Sequence, residues 1–356
     1  MATNGRTYVY AGAAQWTKDT PKGMQTGLYR SVGDDPWEPL TGGLPERAEI
    51  RAIAVHPDDA NVVFVGTQDG PYRSTDRGTH WERLGFPDQG KVVWSLLFHP
   101  RDPKIMYLGA APTSVYKSED GGNTWRRLTN AKQPERVAMG FATRVIRMAA
   151  DPSHPDEVYA AIEVGGVMRT LDGGESWSDC SADLLKLAER PHLKSKIGSD
   201  TEIEGMMDGH SIAVSAARPG AVFVAVRMGL FRSDDRGGSW KDMEVGRFSP
   251  LTYARDVQVS PQEARTLYSC LSPAARSQDG SLYRSDDLGE TWKRFDHGVK
   301  ADSTMMALGL DRSDPDQVCC VSRSGQVFDT RDGGRAWRER RLPAGVHDVY
   351  AVACAS

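Results

Sequence analysis

The sequence predicts an all-β fold: a seven-bladed β-propeller of four-stranded antiparallel blades, closed by N- and C-terminal strands that share one blade. Three observations carry this. A ten-residue turn motif recurs through all 356 residues, its recurrence interval matches one blade, and the two ends each supply the strand that the other lacks.

The motif reads aromatic-Arg/Lys-Ser/Thr-x-Asp-x-Gly-x-x-Trp. Near-complete copies end at Trp81, Trp125, Trp177, Trp240, Trp292 and Trp337. A degenerate copy runs from Tyr29-Arg30-Ser31 through Asp34 to Trp37, one residue short and lacking the usual glycine. Successive tryptophans lie 44, 44, 52, 63, 52 and 45 residues apart, the length of a four-stranded blade plus insertions. Physically, the Asp accepts turn N–H groups, the Gly adopts positive φ without a Cβ clash, and the Trp buries a large ring against the blade.

Each box follows two apolar runs separated by a Pro/Asp turn, as in Ile50–Val55, His56-Pro57, Val62–Val65 and in Val92–Phe98, His99-Pro100, Ile105–Leu108. Such runs read as strands, and His56 and His99 as structural turn residues. Arg6–Ala11 reads as a second strand without a first, and Val349–Val352 as an inner strand without a blade. Paired, they leave no open sheet edge. The whole chain, 1–356, is read as one domain.

Gly 36 and Pro 20 fit many short strands and turns. The net charge of -4 argues against a nucleic-acid partner, and no apolar stretch approaches membrane-spanning length. Residues 1–6 do not resemble a secretory leader, and five cysteines without paired spacing fit reduced thiols. The expected compartment is cytoplasmic.

With strands A to D counted outward, the His-Pro (A–B) turns and the boxes (C–D) must share one rim, because strand direction alternates. The long connections at 12–26, 129–143, 178–208 and 271–280 then all fall on the other rim, where a binding face is expected. The longest opens with a predicted helix over 182–190, stopped by Pro191, and its remainder, 194–208, is expected to cap a pocket.

These repeats resemble the BNR/Asp-box family, whose members include sialidases, xyloglucan hydrolases, sortilin-type receptors and photosystem II assembly propellers. The resemblance implies the fold across essentially the whole chain, and in the resembling hydrolases the active site lies away from the boxes. It leaves the function open.

Inner-strand residues at the channel mouth are the candidate site. Catalytic candidates are Asp208, His210, Asp256 and Asp348. Ligand-binding candidates are Arg51, Trp94, Arg144, Arg147, Tyr253, Arg255 and His347, with Met306 completing the ring. Strand alternation predicts that Asp208 points with His210 and Tyr253 with Arg255.

Three chemistries compete. Two of the three aspartates acting as acid and base would hydrolyse a glycoside; Arg51, Arg147, Arg255 and Tyr253 match the arginine triad and tyrosine of sialidases in residue type only. His210, Asp208, His347 and Asp348, with His192 or His297, are metal-ligand types, but no metal motif appears. Finally, the arginines suit an anion in a non-catalytic pocket or docking platform. The expected partner is a small polar or anionic molecule, such as a carbohydrate, or alternatively a protein. No cofactor is named by any motif, and phosphate-loop and nucleophile-elbow motifs are absent.

Overall fold

A computed structural model describes residues 6–15 and 24–356. It contains seven four-stranded antiparallel sheets. We number the blades I to VII. Blade I is the shared one: Val349–Ala355 is innermost, followed outward by Tyr8–Ala13, Gly27–Val32 and Glu38–Leu40. Six ladder pairs, from Tyr8 opposite Ala355 to Ala13 opposite Val349, close the ring. The inner strands of the other blades are Ala52–Val55, Val92–Phe98, Arg144–Ala150, Gly209–Val214, Tyr253–Val259 and Met305–Leu310.

Each box works as a double clasp. In blade II, Asp76 Oδ1 accepts the His80 N–H at 2.9 Å while the Ser74 hydroxyl accepts the Gly78 N–H at 2.7 Å. Two successive residues, Arg77 and Gly78, adopt positive φ of 61° and 96°. The box therefore tolerates a side chain at the first of these positions but holds its glycine at the second, where a Cβ would meet Leu40 at 2.7 Å. The Trp81 indole N–H donates to the Gly78 carbonyl at 2.8 Å.

The turn also ties blades together. Arg73 donates to the Gly121 carbonyl in the box of blade III, and Arg232 to the Leu288 carbonyl in the box of blade VI. Tyr10 and Tyr107 donate in the same way to Arg77 and Gly173.

Blade VII breaks this pattern and thereby rescues the degenerate box. Asp329 stands where the other blades carry Arg or Lys. It is buried, 1% exposed, and pairs with Arg338 and Arg340. Those arginines and Arg331 reach across to blade I, to Asp34, the Ser31 hydroxyl and the Gly33 carbonyl. Donors supplied by the neighbour thus hold the acceptors that the degenerate turn presents.

The rim assignment holds. In blades II to VII, a box N–H donates to a carbonyl of the same blade's A–B turn, as Arg77 does to Asn61 and Gly173 to Asp156. On the opposite rim, Thr113 of a B–C turn bonds Thr143 of a D–A crossing, and Arg323 bonds Thr304. The long segments 129–143, 178–208 and 271–280 all lie there; of 12–26, residues 16–23 fall outside the described residues. His56 and His99 accept turn N–H groups on Nδ1, as turn residues should. The five cysteines are free and buried. No helix among the described residues is long and apolar enough to cross a membrane.

Removing the buried carboxylate between blades VII and I leaves Arg340 without a carboxylate and Arg338 and Arg331 with only the exposed Asp34. Asp329→Ala is expected to cost about 3 kcal/mol of stability, against about 1 kcal/mol or less for Arg73→Ala at an ordinary clasp. Paired thermal melts check this.

Candidate functional site

Every inner strand carries a one-residue bulge near the insertion-bearing rim. The ladder skips Trp94, Ile146, His210, Arg255, Met306 and Tyr350. In blade II, the Arg51 N–H bonds the Gly66 carbonyl that faces Ala52, the same arrangement. A bulge leaves one residue unpaired and re-aims its side chain. Repeated sevenfold, it sets one residue per blade in a ring at the channel mouth: Arg51, Trp94, Ile146, His210, Arg255, Met306 and Tyr350. Strict alternation fails here, because Arg255 is the extra residue between Ala254 and Asp256.

The ring is packed, not open. The Arg51 guanidinium lies 4.8 Å from the Trp94 ring centre and Arg144 lies 4.2 Å from it, while Trp94 meets Tyr350 edge-on at 5.4 Å. Arg144 also stacks on the exposed Phe141 at 4.9 Å. The result is a ladder of alternating cations and rings from the rim into the channel. Burial pushes the Tyr350 phenol up to about 12, even with Arg255, Arg51 and Arg144 around it. Arg147 donates to the carbonyls of Trp94, Ile146 and Tyr350, so it holds bulges rather than facing a ligand.

The carboxylates are committed. Asp256 accepts from the Ser211 hydroxyl at 2.7 Å, the Leu308 N–H at 3.0 Å and the Gln258 amide at 3.2 Å, stapling the inner strands of blades V, VI and VII. This fixed, fully engaged position removes it from the catalytic set. Asp348 is held by Arg323 at 2.6 Å, Glu163 by Arg144, and Glu49 by Arg51. His347 is exposed, outside the buried cluster of ring side chains.

Asp208, His210 and Tyr253 do come together. Arg227 binds Asp208 at 2.9 Å, and His210 Nε2 lies 3.3 Å from the same carboxylate and 3.4 Å from the Tyr253 hydroxyl. Burial alone would raise Asp208, but His210 and the Arg227 and Arg255 guanidiniums outweigh it and hold the carboxyl well below its usual range. Burial, with Arg255, pushes His210 down against the pull of Asp208. Its Nδ1–H donates to the Ala254 carbonyl at 2.7 Å. Burial likewise raises Tyr253.

Several buried groups in this cluster lack a partner among the described residues. Arg51 Nε and Nη1 and the Trp94 indole N–H are unmatched donors, and Asp208 Oδ1 is an unmatched acceptor. Unmatched buried groups typically cost about 1–3 kcal/mol each, and native structures keep them where something else completes them.

The metal reading finds no support in this arrangement. Asp348 is tied to Arg323, His192 sits beside Asp242 at 3.3 Å, and His347 is exposed. No group of three or more metal-ligand side chains occurs among the described residues.

Sequence reasoning missed Tyr350, Arg227, Arg323 and Glu204. Tyr350 was within reach, since it aligns with Trp94 and Arg255 on the repeat. Arg227 sits before the Gly229 turn, in a connection that carries no motif.

Two clefts flank the mouth. One, about 1040 Å³, lies under the 129–143 segment beside Phe141 and Thr143. The other, about 680 Å³, is walled by Arg227, Tyr253, Met228, Ile197 and Pro273. The 178–208 segment forms its outer wall. α1 (Ala182–Leu187) is shorter than the predicted helix and gives way to a turn at Pro191–Leu193. Asp183 accepts the Trp240 N–H at 2.8 Å, docking the segment onto blade V. α2 (Glu204–Met207) leads into Asp208. The buried Glu204 carboxylate accepts from the N–H groups of Ile197, Gly198 and Ser199 and from the Ser199 hydroxyl, folding the wall around itself.

The DUF6242 beta propeller domain model matches residues 2–181, just over half of the chain, and the BNR-Asp box repeat model matches residues 230–243. The xyloglucanase Xgh74A of Acetivibrio thermocellus is 30% identical over 301 residues, 71% of this chain and 33% of its own length. The chloroplastic photosystem II stability/assembly factor HCF136 of Arabidopsis thaliana is 22% identical over 319 residues, 80% of this chain and 76% of its own. Among solved structures, the GH74 xyloglucanase of Xanthomonas campestris superposes with a TM-score of 0.66 at 17% identity, covering 99% of this chain and 52% of that one. The chain spans about a third of the length of the curated xyloglucanases it matches.

Burial opposes ionisation of Glu204, but the bonds from Ser199, Ile197 and Gly198 outweigh it and depress its pKa. The stabilisation is therefore present above the unfolded value of about 4.3 and lost as pH falls through the lower folded value. Glu204→Gln is expected to lower the melting temperature at pH 7, and the gap to wild type should close below about pH 4. Melts of both proteins from pH 7 to pH 3 check this.

Proposed function

The chain belongs to the DUF6242 beta propeller family, and from that premise we propose that it is a recognition propeller that binds a small anionic ligand at the insertion-bearing mouth of its channel. The observation that carries this reading is Arg51. It is buried with two donor nitrogens unmatched among the described residues, stacked on Trp94 whose own N–H is likewise unmatched among them, beside Arg144. A carboxylate or similar anion supplies the acceptors these donors lack.

Hydrolysis fits the geometry less well. A glycosidase needs a carboxylic acid kept protonated beside an ionised partner. Here Asp208 is driven the other way by its guanidiniums, Asp256 is bonded to three donors, and Asp348 is paired with Arg323. The relatives named xyloglucanases are about three times as long as the stretch they share with this chain.

Two measurements test this. Citrate titrated into the full chain by calorimetry is expected to bind, and Arg51→Met to weaken it about tenfold or more, since a hydrogen bond to a charged group is worth about 1.5–3 kcal/mol. Incubation with xyloglucan is expected to release no reducing ends. Absent citrate binding, or robust xyloglucan cleavage, would overturn the reading.

A further inference from the structure

We propose that the ligand is a hydroxy acid, bound across the channel mouth with its carboxylate at Arg51 and Trp94 and a hydroxyl at Asp208. The proposal rests on the anion-binding reading and narrows it to a class of compound.

The groups at the mouth left unmatched among the described residues are of two kinds and stand on opposite sides. The donors, Arg51 and Trp94, belong to blades II and III, and the acceptor, Asp208 Oδ1, to blade V. Inner strands of successive blades contact one another around the ring, which sets blades II and V three steps apart in seven. A simple anion satisfies the first set and leaves Asp208 unmatched. A molecule that completes both must present an acceptor at one end and a donor at the other.

The donor end is neutral. Asp208 is already neutralised by Arg227 at 2.9 Å, and Arg255 lies close enough to act on its charge. An ammonium placed there would meet two guanidiniums for one carboxylate, whereas a hydroxyl adds a hydrogen bond and no charge. An amino acid is therefore disfavoured against a hydroxy acid of the same length.

Both ends are shut off from solvent, so binding needs a side chain to give way. Arg227 is placed to do so. It is the more exposed partner of Asp208, 25% against 4% for the side chains, and it lines the 680 Å³ cleft that leads in from the rim. Arg227 swings toward that cleft to admit the ligand and returns to Asp208 Oδ2 once Oδ1 is taken.

Four six-carbon probes separate the terms by calorimetry on the full chain: hexanoate, 6-hydroxyhexanoate, 6-aminohexanoate and 1,6-hexanediol. The hydroxy acid is expected to bind about tenfold tighter than hexanoate, as one charge-assisted hydrogen bond provides. The amino acid should bind no tighter than hexanoate, and the diol should give no heat. In Asp208→Asn the ratio of hydroxy acid to hexanoate should fall to about one, with melting curves confirming a folded protein. Should that variant fail to fold, Trp94→Phe provides the second arm, and it should weaken both acids together. Hexanoate and its hydroxy derivative binding equally, or the amino acid binding tightest, would overturn the proposal while leaving the anion site intact. If neither acid binds, the underlying anion reading falls with it.

Discussion

The ring depends on one hydrogen-bonded turn used over and over. An aspartate and a hydroxyl on two sides of a tight C–D connection accept the N–H groups that two consecutive positive-φ residues turn inward. The carbonyls left pointing outward then accept donors from the preceding blade. A local solution to backbone satisfaction thereby becomes the means by which neighbouring sheets are indexed to each other. Where one box is incomplete, in blade I, arginines of blade VII gathered on the buried Asp329 hold the acceptors that its turn presents.

With the boxes holding the outer part of each sheet, the inner strands are free to deviate, and all seven do so at the same level. The bulge ring converts a bundle of parallel-running inner strands into a platform of side chains facing one axis. Its make-up is uneven. Blades II to IV contribute Arg51, Trp94 and the neighbouring Arg144, blades V and VI contribute His210 and Arg255 with Asp208 beside them, and blade VII contributes the apolar Met306. That asymmetry gives a nearly sevenfold scaffold a direction, with donors on one side and an acceptor on the other.

The long connections add walls to this platform without altering it. The 129–143 and 178–208 segments share a hydrophobic cluster in which Val137 packs with Leu184, Leu193 and Met206. The charged groups Asp183 and Glu204 are spent on docking and shaping that wall. Much of the polar composition of 178–208 is thus internal architecture, although in the sequence it reads as a cap exposed to ligand.

The sequence by itself determined the blade count, the closure of the ring by its two ends, and the rim on which elaboration gathers. Each of these follows from local, periodic signals: turn chemistry every forty or so residues and the reversal of direction from strand to strand. It also identified most of the residues that surround the mouth, because they begin the inner strands. What each of them does was decided only by tertiary structure. Asp208, Asp256 and Asp348 are alike as letters, yet one is gripped by Arg227 from a loop nineteen residues on, one staples three blades, and one is paired with Arg323. Those partners are distant in the chain or carry no motif, and the bulge that re-aims Arg255 and Tyr350 shifts side chains by a single residue without any compositional mark. The charge state and direction of a side chain depend on what packs against it across blades, and that contact exists only once the ring is closed.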